Sequence, residues 1–179
     1  MPTNLLKNYP ELLEIMHLSE ESRKNSLRSI FKRDIEDNPN LKFQTKQVRP
    51  IKIEGEINMD TLFKHLTTEE IDIEESSGRK YKKRIFEKDR SMRLHWIKYH
   101  VDENKKEKVE IFSVNERDQK KRKDVMKTYI YDVDEKYVIV LEPQKSGIDY
   151  YLLSAYYFNR DYGEESIKKK LKKRLEEVF

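Results

Sequence analysis

Residues 89–101, Asp-Arg-Ser-Met-Arg-Leu-His-Trp-Ile-Lys-Tyr-His-Val, predict a helix that extends over about residues 86–102. Apolar residues recur here at helical spacing and form one broad arc: Ile85, Phe86, Met92, Leu94, Trp96, Ile97 and Val101. Arg93 and His100 lie seven positions apart, within roughly 20° of each other in the middle of that arc. An arginine in apolar surroundings is costly unless a partner such as Asp89, one turn earlier, compensates it. A fixed cation beside a titratable imidazole suits phosphate chemistry, and this pair is the best functional lead in the sequence.

Four strand signals follow this helix. They cover residues 108–114, 125–131, 137–141 and 149–158, with a polar loop at 115–123 and turn signals at 132–135 and 143–147. A lysine-rich amphipathic helix is predicted over residues 164–178. The order helix, meander, helix predicts an α+β domain, with a four-stranded antiparallel meander sheet packed by the preceding helix and by the C-terminal helix.

The N-terminal part has a different pattern. Residues 4–36 predict two short helices, the second beginning at Ser19, and 43–53 is extended, with Pro50 permitting only an edge strand or a loop. A short helix at 61–66 follows the capping sequence Asn58-Met-Asp60. The acidic stretch 69–78 predicts a boundary between an N-terminal appendage and the main domain. We therefore expect residues 1–75 to form a mainly helical and extended appendage, and residues 76–179 to form the main domain.

Composition excludes several classes of function. Charged residues make up 40% and hydrophobic residues 36%, but 11 Tyr, 7 Phe and 1 Trp supply enough aromatic volume for a compact core. The absence of cysteine excludes disulfides and thiolate metal sites. No carboxylate cluster has metal-ligand spacing, and four glycines leave no phosphate-cradling loop, so neither a metal nor a cofactor is expected. No apolar run approaches 18 residues, which predicts a soluble, cytoplasmic protein without a membrane partner.

The charge is unevenly distributed along the chain. Residues 1–75 carry 11 basic and 15 acidic side chains, whereas residues 76–179 carry 27 and 19, a net charge of +8. Basic runs occur at 120–123, 168–170 and 172–174. They favour a polyanion partner, with a solvated lysine-rich surface as the alternative. Several tyrosines are candidate stacking platforms for the bases of unpaired RNA: Tyr129, Tyr131, Tyr150 and Tyr156.

The histidines of the predicted helix differ in their surroundings. His95 and His100 are separated by roughly 140° on a helix, so they cannot line one pocket together. His95 shares a face with polar residues and is expected to face solvent, unless an early kink changes the phase. His100 is therefore the candidate general base or acid, and a buried, hydrogen-bonded structural histidine is the alternative. His17 and His65 are expected to be structural or surface residues.

The last strand supplies two hydroxyl donors. Strict alternation places Ser154 and Tyr156 on one face of the strand, together with Tyr150, Leu152 and Phe158. Beside an arginine and a histidine, these hydroxyls would contact phosphate oxygens.

Three motifs together resemble a known family. They are Arg90-x-x-Arg93-Leu-x-Trp96-Ile97, the strand Tyr137-Val-Ile-Val-Leu, and Tyr151-Leu-Leu-Ser-Ala-Tyr156. In this order they resemble the phage-associated branch of the barnase–EndoU–colicin–RelE (BECR) nucleases, over about residues 80–160. The resemblance implies helices packed on a four-stranded antiparallel sheet. It also implies a metal-independent, toxin-like endoribonuclease that cleaves tRNA or other RNA by attack of the 2′-OH.

The resemblance also implies roles for individual residues. Arg93 would clamp the phosphate, His100 or His95 would transfer protons, and Ser154 and Tyr156 would donate hydrogen bonds. RNA contacts are expected from Arg90, Trp96, Lys98, Lys127, Tyr129, Lys120 and Arg122. Expected partners are a tRNA-like substrate and an antitoxin or immunity protein. The alternative function is a non-catalytic RNA- or protein-binding module of a phage or mobile element, and the oligomeric state stays open.

Overall fold

The computed structural model describes residues 3–53 and 56–179 of the chain, which form an α+β fold. Its helices are α1 (Glu20–Phe31), α2 (Met59–Thr67), α3 (Lys88–Ser91), α4 (Trp96–Val101) and α5 (Asp161–Lys172). Its first six strands are β1 (Lys42–Phe43), β2 (Lys46–Pro50), β3 (Lys52–Ile53), β4 (Glu56–Ile57), β5 (Thr68–Glu74) and β6 (Lys80–Phe86). The remaining four are β7 (Val109–Asp118), β8 (Lys123–Asp132), β9 (Tyr137–Pro143) and β10 (Asp149–Tyr157). A 3-10 turn covers Thr3–Leu6, and a π-helical turn, Lys32–Glu36, continues α1.

The main sheet has six strands in the order β1-β2-β10-β9-β8-β7. Strands β7 to β10 form an antiparallel meander, but β2 pairs with β10 in parallel and β1 pairs with β2. The prediction of a four-stranded, purely antiparallel sheet is therefore wrong. The second neighbour of β10 is β2, which lies far away in the chain. The ion pair between Arg49 of β2 and Asp149 of β10 joins residues 100 positions apart. Local sequence patterns carry no signal for such a pairing.

The mainly helical N-terminal appendage is also not observed, because β1 and β2 belong to the main sheet and α1 packs into the same core as β9 and β10. The first of the two predicted N-terminal helices is replaced by a 3-10 turn, Thr3–Leu6, and by irregular chain with turns. Its apolar stripe is buried all the same: Leu13 and Ile15 are 0% exposed, and the Leu13 amide donates to the Met92 carbonyl. The second helix begins after Ser19 as expected, and the Ser19 hydroxyl caps it.

The acidic stretch 69–78 contributes to a β5–β6 hairpin rather than to an irregular boundary. Gly78 adopts a φ of 80° at its turn, which suits glycine. A domain boundary after residue 75 stays a prediction.

The predicted helix at 86–102 is divided into two short helices. β6 continues to Phe86, the Glu87 carboxylate caps α3, and the chain makes tight turns over residues 92–95 before α4 begins. In these turns Leu94 and Trp96 each donate to the carbonyl three residues earlier. The interruption changes the helix phase, so the faces derived for a continuous helix do not hold. The polar loop at 115–123 shrinks to a turn between β7 and β8, and α5 begins and ends earlier than predicted.

The main sheet is covered on both faces. On one face, Leu94, Trp96, Ile97 and Val101 pack against Tyr137, Ile139, Leu141 and Leu152; we call this the α4 face. On the other face, Ile167 and Leu171 of α5 pack against Phe112, Tyr129, Val138 and Val140; we call this the α5 face. In the part of the chain that the structure describes, no helix has the length and apolar character of a membrane span.

Candidate functional site

The central sheet separates the predicted catalytic residues into two groups. Ser154 and Tyr156 pair with Val140 and Val138, which belong to the core of the α5 face, and directly paired residues project to the same face of a sheet. The Arg93 guanidinium and the His100 ring instead lie within 5.1 and 6.5 Å of the Trp96 ring, in the core of the α4 face. The expected constellation of arginine, histidine and hydroxyl donors on one face is therefore not formed.

A β-bulge in β10 corrects the predicted face of that strand. The register shifts between Leu152 and Ser154, so strict alternation is broken at Leu153. Ser154, Tyr156 and Phe158 still share a side, as expected, but Tyr150 and Leu152 belong to the opposite core. An extra residue in one strand is not visible in the alternation pattern.

His100 lies in a buried hydrogen-bond network. Its Nδ1 is 2.8 Å from the Trp96 carbonyl oxygen, and its Nε2 is 2.8 Å from Asp132 Oδ2. The His100 and Asp132 residues are 2% and 0% exposed. The Asp132 carboxylate also accepts from Lys105 Nζ at 2.7 Å and from the Tyr9 hydroxyl at 2.8 Å. Burial alone would raise the pKa of Asp132, but the hydrogen bonds from these three partners lower it well below its ordinary value.

This geometry supports the structural alternative for His100. Both ring nitrogens lie 2.8 Å from oxygen atoms of the protein, so the ring is held on two sides within the network. Both nitrogens are engaged within the protein, and the residue is only 2% exposed to solvent. A role in proton transfer finds no support in this arrangement.

His95 does not face solvent as predicted, since it is 6% exposed. Neither ring nitrogen has a hydrogen-bond partner among the described residues. Burial lowers the pKa of His95 to about 4, so the ring is neutral at pH 7. The side chain points into the interior because the tight turns at 92–95 change the phase of the helix.

Arg93 is paired within the protein, although its buried Nε has no hydrogen-bond partner among the described residues. Its Nη1 donates to the Asp89 carbonyl at 2.8 Å and lies 3.7 Å from the Asp89 carboxylate. Its guanidinium stacks 3.8 Å above the Tyr157 ring. The predicted partner Asp89 is therefore confirmed, but the arrangement leaves Arg93 as a packing residue. The Trp96 ring is 1% exposed and donates to the Glu11 carbonyl at 3.1 Å, so it is not available to RNA.

A polar cleft of about 310 Å³ opens at the end of β10, where α3 and α5 approach that strand. We call it the β10 cleft. Its lining includes Arg90, Tyr156, Arg160, Tyr162, Ser166 and Lys170, with Glu69 and Glu87 as its acidic members. Gly163 permits this close approach of α5, because a Cβ at this position would lie 2.5 Å from the Phe158 ring.

Arg90 gives the β10 cleft its most informative feature. The side chain is partly buried, and burial lowers its pKa. Its Nη1 donates to the carbonyls of His65 and Thr68 at 2.6 and 2.9 Å, whereas its buried Nε has no partner in the described part of the chain. The Glu87 carboxylate is occupied, because it accepts from the backbone amides of Asp89 and Arg90. Among the described residues, Arg90 forms no ion pair.

Further donors surround this arginine. Arg160 forms no ion pair with the described carboxylates, and its Nη1 lies 3.5 Å from the hydroxyl of Tyr162, which is 67% exposed. Lys170 contacts Glu116, which also accepts a hydrogen bond from the Tyr129 hydroxyl at 2.6 Å and forms an ion pair with Lys127 at 3.3 Å. Burial raises the pKa of Tyr156 to about 12, so its hydroxyl keeps its proton. An arrangement in which donors outnumber acceptors is suited to an anion.

The predicted RNA contacts are spread over the molecule. Lys98 pairs with Asp102, and Lys120 and Arg122 are exposed in the β7–β8 turn and do not line the β10 cleft. Three of the four predicted stacking tyrosines, Tyr129, Tyr131 and Tyr150, are at most 2% exposed and offer no free ring. Arg90 and Tyr156 are the predicted site residues that line the β10 cleft together.

The sequence interpretation missed Arg160, Tyr162 and Ser166, and it included Lys170 only as part of a basic run. The available signal was the pair Arg160 and Tyr162 at the start of α5, an exposed cation beside an aromatic residue.

Comparison of the chain with protein-family models, with curated proteins and with solved structures gave no match. Within residues 3–53 and 56–179, no group of three or more His, Asp or Glu side chains is placed to hold a metal ion.

Proposed function

We propose that the protein binds single-stranded RNA and holds a backbone phosphate in the β10 cleft. The observation that best supports this proposal concerns Arg90. This residue is a partly buried cation that lines an open cleft and has no ion-pair partner in the described chain. Removing an arginine from water without an ion-pair partner is unfavourable, and a bound phosphate would be that partner. Arg160, Lys170 and the Tyr156 hydroxyl would supply further contacts to the same group.

RNA is the polyanion that the surrounding surface favours. Tyr162 offers an exposed ring at the rim of the cleft, on which an unpaired base would stack. Beyond it, the surface of α5 and the following residues carries exposed cations that pair with no described carboxylate: Lys169, Lys172, Lys173 and Arg174. These cations account for part of the +8 charge of residues 76–179 and would track the RNA backbone.

Binding without cleavage is the better-supported activity. No histidine lines the β10 cleft, and the two histidines proposed for catalysis, His95 and His100, are buried elsewhere. Tyr156, with a pKa of about 12, is a poor general base near neutral pH. The described lining therefore supplies hydrogen-bond donors for a phosphate, and of its two carboxylates Glu87 is already occupied by backbone amides, which leaves Glu69 as the other acidic group.

The test is fluorescence anisotropy with a labelled single-stranded RNA of about 12 nucleotides, a length within the range of single-strand sites. Arg160→Ala and Lys170→Ala are each expected to weaken binding by about threefold to tenfold and to reduce the salt slope by about one. Tyr162→Ala, which removes the stacking ring, is expected to weaken it by about tenfold.

Lys145→Ala is the matched control, because this exposed lysine lies in the turn before β10, whereas Arg160 follows the end of that strand. Equal affinities of the Arg160→Ala and Lys145→Ala variants would contradict the proposed site.

RNA cleavage in the β10 cleft is a second candidate function. It is favoured by the meeting of Arg90, Tyr156 and Lys170, which would stabilise a phosphorane. Incubation of the RNA with the protein in EDTA would then yield 2′,3′-cyclic phosphate ends, and Tyr156→Phe would reduce their yield. Intact RNA after such incubation supports binding alone. A neutralising partner protein and a cytoplasmic location stay predictions.

A further inference from the structure

A second cleft, of about 860 Å³, lies between α1, α2 and the end of β6. We call it the α1–α2 groove. Its floor contains Leu27 of α1, Phe63 of α2 and Phe86 of β6. This volume is large enough for a bulky apolar side chain together with the backbone that carries it. None of the residues that line the groove also lines the β10 cleft.

The rim of the α1–α2 groove is basic. The rim also contains Glu20, but its cations Arg23, Lys24 and Lys64 form no ion pair with the described carboxylates. Arg28 is already neutralised by Glu36 at 2.9 Å and by Asp60 at 2.7 Å. The excess of cations is local, because residues 1–75 as a whole carry a net charge of −4. A partner that neutralises this rim must therefore be acidic.

The floor favours a polypeptide over a nucleic acid. The guanidinium of Arg23 lies 4.2 Å above the Phe86 ring, and Phe63 is 8% exposed, so neither ring offers a free face to a stacking base. An aliphatic side chain needs no free ring face, since it is held by contact with Leu27 and with the aromatic edges. The apolar floor and the basic rim together are complementary to a polypeptide segment in which acidic residues flank a hydrophobic side chain.

From these observations we infer that the α1–α2 groove is a docking site for an acidic protein segment with a hydrophobic anchor side chain. The anchor is buried against Leu27, Phe63 and Phe86. The carboxylates on either side of it pair with Arg23, Lys24 and Lys64. This docking site is independent of RNA binding in the β10 cleft.

The experiment measures fluorescence polarisation of a labelled synthetic peptide in which glutamates flank a leucine–phenylalanine pair. The full chain is expected to bind this peptide and to lose about tenfold in affinity on Arg23→Glu or Lys64→Glu. The matched control is Lys145→Glu, the same change of charge at an exposed lysine outside the groove, which is expected to leave the affinity unchanged. Far-UV circular dichroism checks that each variant is folded.

Two further peptides test the two halves of the inference. A peptide with glutamine in place of glutamate, and one with serine in place of leucine and phenylalanine, are each expected to bind at least tenfold more weakly. Equal binding of all three peptides would overturn the docking site, as would an unchanged affinity of Arg23→Glu. Competition with single-stranded RNA provides a last test. If the RNA displaces the acidic peptide from the Lys145→Glu variant but not from Arg23→Glu, the groove binds RNA and the inference is overturned.

Discussion

The network around His100 and the β10 cleft are two partly or fully buried polar regions with opposite properties. In the network, Asp132 receives hydrogen bonds from His100, Lys105 and Tyr9, and all of these groups are satisfied within the protein. In the β10 cleft, Arg90 has carbonyl acceptors but no ion-pair partner among the described residues, although Glu69 and Glu87 line the same cleft. A buried polar group that is fully paired stabilises the fold, whereas a cation that has no ion-pair partner and faces an opening is available to a ligand.

The largest effect is expected from Asp132→Ala. The substitution leaves His100 and Lys105 without their shared acceptor in the interior, which should reduce the free energy of unfolding by about 3–5 kcal/mol. Chemical denaturation followed by tryptophan fluorescence measures the change. Asp134→Ala is the control, since Asp134 is 44% exposed and should contribute less than about 1 kcal/mol. Equal losses in the two variants would show that the network is not a structural centre.

The second prediction concerns His95, which is buried without hydrogen-bond partners among the described residues but, unlike Arg90, loses its charge easily. Burial lowers its pKa from 6.5 to about 4, so the unfolded chain takes up a proton at a higher pH than the folded chain does. Its contribution to stability is therefore complete above pH 6.5 and is lost as the pH falls toward 4. We expect the free energy of unfolding to decrease by about 2–3 kcal/mol over this range.

The control for this pH dependence is His95→Leu, which should have a flatter stability profile between pH 6.5 and 4. The contribution of Asp132 does not interfere, because a carboxyl with a lowered pKa loses its contribution only below its ordinary value of 3.8. Parallel profiles for the wild type and His95→Leu would contradict the buried, neutral state of His95.

A smaller effect is expected from Tyr9→Phe. The Tyr9 hydroxyl donates to Asp132 at 2.8 Å and accepts from Lys105 at 3.1 Å, so its removal should reduce the free energy of unfolding by about 1–2 kcal/mol. Urea denaturation measures it. Tyr99→Phe is the control, because the Tyr99 ring stacks on Tyr9 at 4.4 Å and its hydroxyl makes no hydrogen bond to the described residues. A Tyr99→Phe variant as unstable as Tyr9→Phe would show that the loss does not come from the hydrogen bonds of the Tyr9 hydroxyl.

The smallest effect belongs to the β10 cleft. Inorganic phosphate at about 10 mM is expected to raise the free energy of unfolding by about 1 kcal/mol or less, through binding to the folded state. Thermal denaturation at constant ionic strength, with chloride as the reference, measures this shift. The double substitution of Arg160 and Lys170 by alanine should abolish it, and an undiminished shift would place the phosphate elsewhere.

The sequence predicted local structure better than the functional site. The helix start at Ser19 was correctly identified, because a cap depends on residues within one turn. The predicted capping sequence 58–60 contains the cap Asn58, but α2 already begins at Met59 and not at residue 61. The four strands of the meander were also found, since each carries its own alternation. The continuous helix at 86–102 was wrong, because the tight turns at 92–95 preserve an apolar pattern while they change its phase. That change of phase placed His95 in the interior.

The amino-acid sequence by itself determined the α+β class, the meander strands, the basic character of residues 76–179 and the partnership of Asp89 with Arg93. These depend on contacts within a few residues or on composition alone. Tertiary structure decided that β2 completes the sheet beside β10, that the sheet separates Arg93 and His100 from Ser154 and Tyr156, and that Arg90 meets Arg160 and Lys170 in one cleft. The reason is physical. Burial, hydrogen-bond partners and counter-charges are supplied by residues far away in the chain, and spacing along the sequence does not encode them.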